Sequence, residues 1–271
     1  MLKQRILTAL VLLPLMVGML FYAGSGLWAL FGGLIALIAL WEYARICGLN
    51  GQQTRRYLGA SFVLGVLLYA VNDEGLATGW LAHLFWLAVL VFWLCVVPLW
   101  LYRKWTLKAN GRGMLLGWML MLPFWLALIG LRPDAAYAAD LLAVMVLVWL
   151  ADVAAYFVGR AFGKRHLAPV ISPKKSWEGA LGALLCVALY AAWLNSGSGF
   201  SFGSGLWSSV WIAMLLAVVS IWGDLLESWF KRAAGIKDSS NLLPGHGGVF
   251  DRIDSLIAVL AVYAACQVWF N

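Results

Sequence analysis

The chain has 271 residues, of which 64% are hydrophobic and 11% charged, and its 19 Lys and Arg against 12 Asp and Glu give a net charge of +7. A soluble domain carries about 25% charged residues, so this composition, with a mean hydropathy of +0.88, excludes a water-soluble globule and makes lipid the main solvent. Charged groups are costly at membrane depth, so each one found there needs a reason.

A helix crosses ~30 Å of hydrocarbon with about 20 apolar residues. Nine runs of about that size follow in order, 6–23, 26–47, 57–71, 80–102, 114–131, 138–158, 177–194, 208–230 and 254–270, the third being short. The first stands behind Lys3 and Arg5, as a secretory signal would, but it is long and no small-residue cleavage site follows, so it is read as a retained helix. Lys and Arg in short loops resist translocation. With a cytoplasmic N-terminus, 18 of the 19 basic residues fall in inside segments and only Arg132 falls outside. The expectation is an all-α polytopic membrane protein of about nine transmembrane helices with its C-terminus outside.

Cys47, Cys95, Cys186 and Cys266 show no CxxC spacing and read as small core residues. The 17 Trp gather near predicted helix ends as an interfacial belt. No repeat appears, and NSGSGFSFGSG (195–205) reads as an uncharged outside loop. Residues 1–135 are plain hydrophobic helices, read as a scaffold with dimer contacts. Residues 136–271 hold most of the polar groups at membrane depth and are read as the catalytic region.

In GDLLESWFKR (223–232), Asp224, Glu227, Ser228 and Lys231 follow i, i+3, i+4, i+7 and share one helix face. Asp224 then lies roughly 10 Å deeper than Lys231, where a lone carboxylate costs ~2.5–3.5 kcal/mol or more. The last helix opens with DRIDS, placing Asp251, Asp254 and Ser255 on another shared face. Oxygen ligands on two facing helices, with no His or Cys cluster, suit Mg²⁺, which keeps waters and substrate phosphate oxygens as its other ligands. The spacing also admits plain ion pairs in which Asp251 or Asp254 neutralises Arg252 or Lys237.

Between these helices Lys231, Arg232, Lys237 and Arg252 bring positive charge near the carboxylates, and Gly245, Gly247 and Gly248 let backbone N–H groups approach a ligand just ahead of a helix N-terminus. A phosphate with its metal would satisfy both signs of charge. His246, among these glycines, is placed to bond a phosphoryl oxygen or to shape the loop. His83 and His166 lack ligand-spaced companions and read as structural or surface residues. Upstream, Asp152 and Tyr156 are expected to be buried ahead of Arg160. In ISPKKSWEGA (171–180), Ser172 is expected to cap a helix beginning at Pro173, so that Lys174 and Lys175 in its first turn call for an anionic partner, with Glu178 a nearby countercharge.

Ser228, Lys231, Arg232, Lys237, Asp238, Pro244, His246, Gly247, Gly248, Asp251, Arg252 and Asp254 stand in the order S-x-x-K-R-x4-K-D-x5-P-x-H-G-G-x-x-D-R-x-D. This order resembles the signature of the phosphatidate cytidylyltransferases, or CDP-diacylglycerol synthases. The signature covers 27 residues, and SPKKSWEG and the stretch from Asp152 to Gly163 resemble upstream segments of the same family. The resemblance implies a Mg²⁺-dependent reaction of CTP with phosphatidic acid, giving CDP-diacylglycerol and pyrophosphate. It also implies a homodimer in the bacterial cytoplasmic (inner) membrane, with the active site facing the cytoplasm and no nucleic acid as partner. Carried onto these residues, it puts Asp224, Asp251 and Asp254 on the metal and Asp224, Lys231 and Asp251 at the chemistry. Ser228, Arg232, Lys237, His246, Gly247, Gly248 and Arg252 then face the substrates, and Lys174, Lys175 and Ser176 make a further anion contact. A CTP-dependent lipid alcohol kinase is the nearest alternative. A secondary anion transporter fits less well, because the charged groups sit at one membrane face and the halves show no matching repeat.

Overall fold

A computed structural model describes residues 2–71, 79–107, 109–197 and 199–270. Lys108, counted above among the inside basic residues, lies outside them. The described chain forms nine helices: α1 (Leu2–Tyr22), α2 (Ser25–Ile46), α3 (Gly51–Val71), α4 (Trp80–Arg103), α5 (Gly111–Gly130), α6 (Ala138–Phe162), α7 (Trp177–Gly197), α8 (Leu206–Ala233) and α9 (Phe250–Phe270). Each sits on one of the nine apolar runs. Seven, α2 and α4 to α9, are long and apolar enough to cross a membrane, and the apolar part of α1, Leu10–Tyr22, is shorter. α3 is not among them, because its first two turns carry Gln52, Gln53, Thr54, Arg55 and Arg56.

Burial follows the sequence of each helix. In α9 every residue from Ser255 to Cys266 is buried, including Ala258, Ala261, Ala264 and Ala265, as expected of a helix that is apolar all round. It is the central post, packed against α2, α4, α5, α6 and α8. α3 buries only Thr54, Tyr57, Ser61 and Gly65, a single stripe at helical spacing. α7 turns Leu181, Leu185, Leu189 and Trp193 outward at four-residue intervals, each more than 60% exposed. Such a ridge is stable only against lipid or another chain. α4 passes through a π turn at Phe92–Val96 just before Pro98, which has no N–H to donate and whose ring would crowd the preceding turn.

Arg132, the one basic residue placed outside, is fully buried. Its Nε donates to the Leu20 carbonyl (2.8 Å) and its Nη2 to that of Ala23 (2.6 Å), with the guanidinium 5.0 Å from the Trp28 ring centroid. A cation thus closes the C-terminal end of α1, where the helix dipole favours it. Arg132→Met should cost about 2–3 kcal/mol of stability through these charge-assisted bonds. The expected result is a lower thermal midpoint in detergent with unchanged turnover per folded molecule.

α6 and α7 pack through glycine. A Cβ on Gly179 would stand 2.7 Å from the Ala155 carbonyl oxygen, and one on Gly182 would stand 2.6 Å from Val158 Cγ2. Before α7 the chain departs from expectation. Ser172–Ser176 is not a helix start but a strand, β2, paired antiparallel with β1 (His166–Ala168). Ser172 precedes a proline, which biases it to extended backbone, and Trp177 N–H donates to the Arg165 carbonyl (3.0 Å), closing the hairpin. The cap falls four residues later, where Ser176 Oγ accepts from Gly179 N–H (3.1 Å). Lys174 and Lys175 therefore do not oppose a helix dipole. Successive strand residues point to opposite sides, leaving Lys174 exposed and Lys175 half-buried toward α8.

Candidate active site

α8 and α9 touch backbone to backbone near the hairpin. A Cβ on Gly223 would stand 2.7 Å from the Asp254 carbonyl oxygen and 3.0 Å from Ala258 Cβ, so only glycine allows this approach. The contact sets two acidic positions, Asp224 and Asp254, side by side on neighbouring helices. The expected face of α8 is present as two charged steps. At the deeper one Lys175 Nζ lies 2.5 Å from Asp224 Oδ2, and Ser228 Oγ donates to Asp224 Oδ1 (3.2 Å). At the shallower one Lys231 Nζ lies 2.6 Å from Glu227 Oε2 and 2.6 Å from Asp251 Oδ1. The ion pairs weighed from spacing, Asp251 or Asp254 with Arg252 or Lys237, are absent among the described residues. Asp251 meets Lys231 instead, and Arg252 Nε donates to the His246 carbonyl (3.0 Å).

The glycine loop has a definite geometry. His246 N–H donates to the Leu243 carbonyl (2.9 Å), and Gly245 takes φ +78° after Pro244, the pattern of a type II turn. Gly247, at φ +85°, lies in the left-handed region that only glycine adopts cheaply. The N–H groups expected to face a phosphate are bonded within the chain: Gly247 to Leu243 O (3.1 Å) and Gly248 to Asp251 Oδ2 (2.7 Å). Asp251 also accepts from Ser239 N–H and Ser239 Oγ, each at 3.0 Å from Oδ2. The anion at this helix N-terminus is the protein's own carboxylate.

Around these groups the remaining candidates divide by exposure. Arg232, Lys237, Lys174 and Arg252 are exposed at this end of the bundle, while His246 is half-buried and its Nδ1 meets no partner among the described residues. Asp152 and Tyr156, expected to be buried, are exposed, and Arg160 Nη1 donates to the Tyr156 hydroxyl (3.0 Å). Glu178 accepts from the backbone N–H groups of Lys164 (3.1 Å) and Arg165 (3.3 Å) and so braces the hairpin instead of countering the lysines.

Acidic helix ends and exposed cations lie together at this end of the bundle. The model of the family described as "Cytidylyltransferase family" matches residues 3–270. The chain belongs to the cytidylyltransferase family. A phosphatidate cytidylyltransferase of Pseudomonas aeruginosa is 46% identical over 266 residues, covering 98% of this chain and 96% of the relative. Proteins of the same name from Haemophilus influenzae and Brucella suis are 35% and 34% identical, and cover 97% and 96% of this chain and 98% and 91% of their own.

One residue of this candidate site carries no motif in the sequence. Glu42, near the end of α2, is fully buried and accepts from Phe250 N–H (2.6 Å), Val249 N–H (3.0 Å), Ser240 Oγ (2.5 Å) and Ser239 Oγ (3.2 Å). In LWEYAR it looks like half of an ordinary Glu–Arg pair with Arg45, three residues on. Arg45 instead lies over the Trp41 ring, 5.1 Å from its centroid. The available signal is an acidic residue inside an apolar run. Thr8 of α1 also reaches the loop, donating to the Pro244 carbonyl (3.0 Å).

Proposed function

We propose that this protein transfers the cytidylyl group of CTP to phosphatidic acid, forming CDP-diacylglycerol and releasing pyrophosphate. The observation that carries this reading is the double charged step of α8, Asp224 with Lys175 and Lys231 between Glu227 and Asp251, in a chain of the cytidylyltransferase family. A phosphatidate oxygen must approach the α-phosphorus of CTP against the repulsion of two anions, so positioning and charge neutralisation carry the catalysis. Lys231 is held from both sides and only 15% exposed at its side chain. A shielded ammonium of this kind stabilises negative charge more strongly than a surface lysine. The exposed Arg232, Lys237 and Arg252 receive the triphosphate, and Lys175 receives the second anion, with Lys174 and Ser176 on the opposite side of the same strand. The lipid tails remain in the bilayer.

The residues suit Mg²⁺. Asp224 and Asp254 lie side by side where α8 and α9 touch, with Lys175 paired to Asp224, so two carboxylates share one ammonium and a cation would complete the neutralisation. Among the described residues no group of three His, Cys, Asp or Glu side chains is placed to hold an ion unaided. That suits an ion which keeps waters and phosphate oxygens among its ligands. Asp224 and Asp254 would hold it, with Asp251 joining on release of Lys231. The ion would polarise the phosphoryl oxygens and neutralise charge on the leaving pyrophosphate.

The same proposal places the site on the cytoplasmic side of the inner membrane of a bacterium, in a homodimer. The ends of α2, α6 and α8 and the starts of α7 and α9 meet at one end of the bundle, the end that the basic residues assign to the inside. The test is incubation of the purified protein with radiolabelled CTP and phosphatidic acid, with and without Mg²⁺. CDP-diacylglycerol and pyrophosphate support the proposal, while CDP with a phosphorylated lipid would make the protein a lipid kinase.

Lys175 competes with any ion for Asp224. Lys175→Ala should lower kcat/KM by about tenfold, the scale of one charge-assisted contact, without raising the Mg²⁺ concentration for half-maximal activity. Titration of Mg²⁺ at fixed substrate checks this, and unchanged kinetics for both substrates would leave Lys175 an ordinary loop lysine.

A further inference from the structure

The strongest unexplained feature is a carboxylate contributed by the half of the chain that looked like scaffold. Glu42 is fully buried, and among the described residues it forms no ion pair with Lys or Arg. Its charge is balanced by four donors, two of them the amides of Val249 and Phe250 where α9 begins and two the hydroxyls of Ser239 and Ser240. Both ends of the 239–250 loop are therefore tied to one side chain on another helix. Ser239 is shared, since its hydroxyl reaches both Glu42 and Asp251, and Asp251 in turn holds Lys231. The space is closed tightly, as a Cβ on Gly248 would stand 2.5 Å from Glu42 Oε1. Behind the carboxylate, Tyr43 packs edge-on against Phe230 of α8 and Phe250 of α9, with ring centroids 6.0 and 6.3 Å away.

We propose that Glu42 is a positioning residue for cytidylyl transfer, which seats the start of α9 and the glycine loop so that Asp251 and Lys231 face the substrates. It touches no reacting atom in this scheme and acts through Ser239 and Asp251. The inference rests on the function proposed above for its effect on turnover, but its effect on the loop stands apart from that reading. A buried carboxylate at a helix N-terminus is favoured by the dipole, and its two anionic oxygens meet four donors, the single Ser239 hydroxyl hydrogen being shared with Asp251. Glutamine offers one acceptor oxygen and turns an N–H₂ group toward donors.

The experiment uses the full chain in detergent, comparing E42Q, E42D, S240A and, as a control, Y43F. Tyr43 is an equally buried neighbour whose hydroxyl donates to the Gly113 carbonyl (2.8 Å), away from the loop. Amide hydrogen exchange is followed together with the KM for CTP and kcat. E42Q should speed exchange over 239–251 by at least about tenfold, the equivalent of one lost charge-assisted bond, with exchange in α7 unchanged. It should also lower kcat/KM for CTP by about a hundredfold, mainly through KM, and E42D, which keeps both anionic oxygens, should recover part of that loss. Y43F should alter stability without either effect. Wild-type exchange in the loop, acceleration spread evenly over all helices, or a fall in kcat that only tracks the folded fraction would overturn the proposal. Should E42Q fail to fold, S240A decides, and unchanged loop exchange there overturns it. If the wild-type protein makes no CDP-diacylglycerol, the function above fails while the exchange result still judges Glu42.

Discussion

Asp251→Asn is expected to lose roughly 10²–10³-fold in turnover while the helices remain assembled in detergent. The carboxylate accepts from Lys231 Nζ, Ser239 and Gly248, and all of these are donors. An amide presents two hydrogens to that set, and it leaves the half-buried Lys231 with Glu227 as its only carboxylate among the described residues. Losing one preorganised charge that stabilises the transition state costs about 2.7–4 kcal/mol of barrier, and each 1.36 kcal/mol is tenfold in rate. The check is single-turnover cytidylyl transfer at saturating CTP and Mg²⁺, beside a melting curve. Near-normal turnover would remove both the loop and the ion from the duties of Asp251.

Chelation of divalent cations should abolish activity and added Mg²⁺ should restore it, with the informative part lying in Asp224→Asn. CTP itself carries Mg²⁺ in solution, so loss on chelation alone does not locate a protein site. Removing the charge of Asp224 leaves Lys175 without its 2.5 Å partner and reduces the acidic excess near Asp254. The Mg²⁺ concentration for half-maximal activity should rise by about 10–100-fold, the scale expected for one carboxylate ligand, whereas Lys175→Ala should not raise it. A parallel shift in both variants would mean that the pair acts on substrate alone.

Much of this architecture is legible in the sequence because lipid makes composition informative. A run such as 254–270 has no soluble alternative, and α9 lies on it. The shared face of Asp224, Glu227, Ser228 and Lys231 is equally local, since helical spacing alone brings those side chains together. The misses depend on partners that no helical or strand period reveals, whether near in sequence or far. Ser172 looks like a cap until His166–Ala168 is known to lie beside it. Gly247 and Gly248 look like a phosphate cradle until Asp251 folds back on the loop and fills it. Glu42 is separated by 208 residues from Phe250, whose N–H it accepts, and no window along the chain reveals that pairing. Arg132 stands alone in the sequence as a basic residue between apolar runs, and its partners, the carbonyls of Leu20 and Ala23, lie more than 100 residues away.

The missing side chain at Gly223 has a consequence for chemistry as well as for packing. With no Cβ on one helix, the next comes so close that the backbone itself fixes the bite between their acidic residues. Discrimination between a small, tightly hydrated cation and a larger one would then be a matter of helix spacing, with ligand identity secondary. The ion preference of the proposed site would be drawn by the same contact that holds α8 against α9.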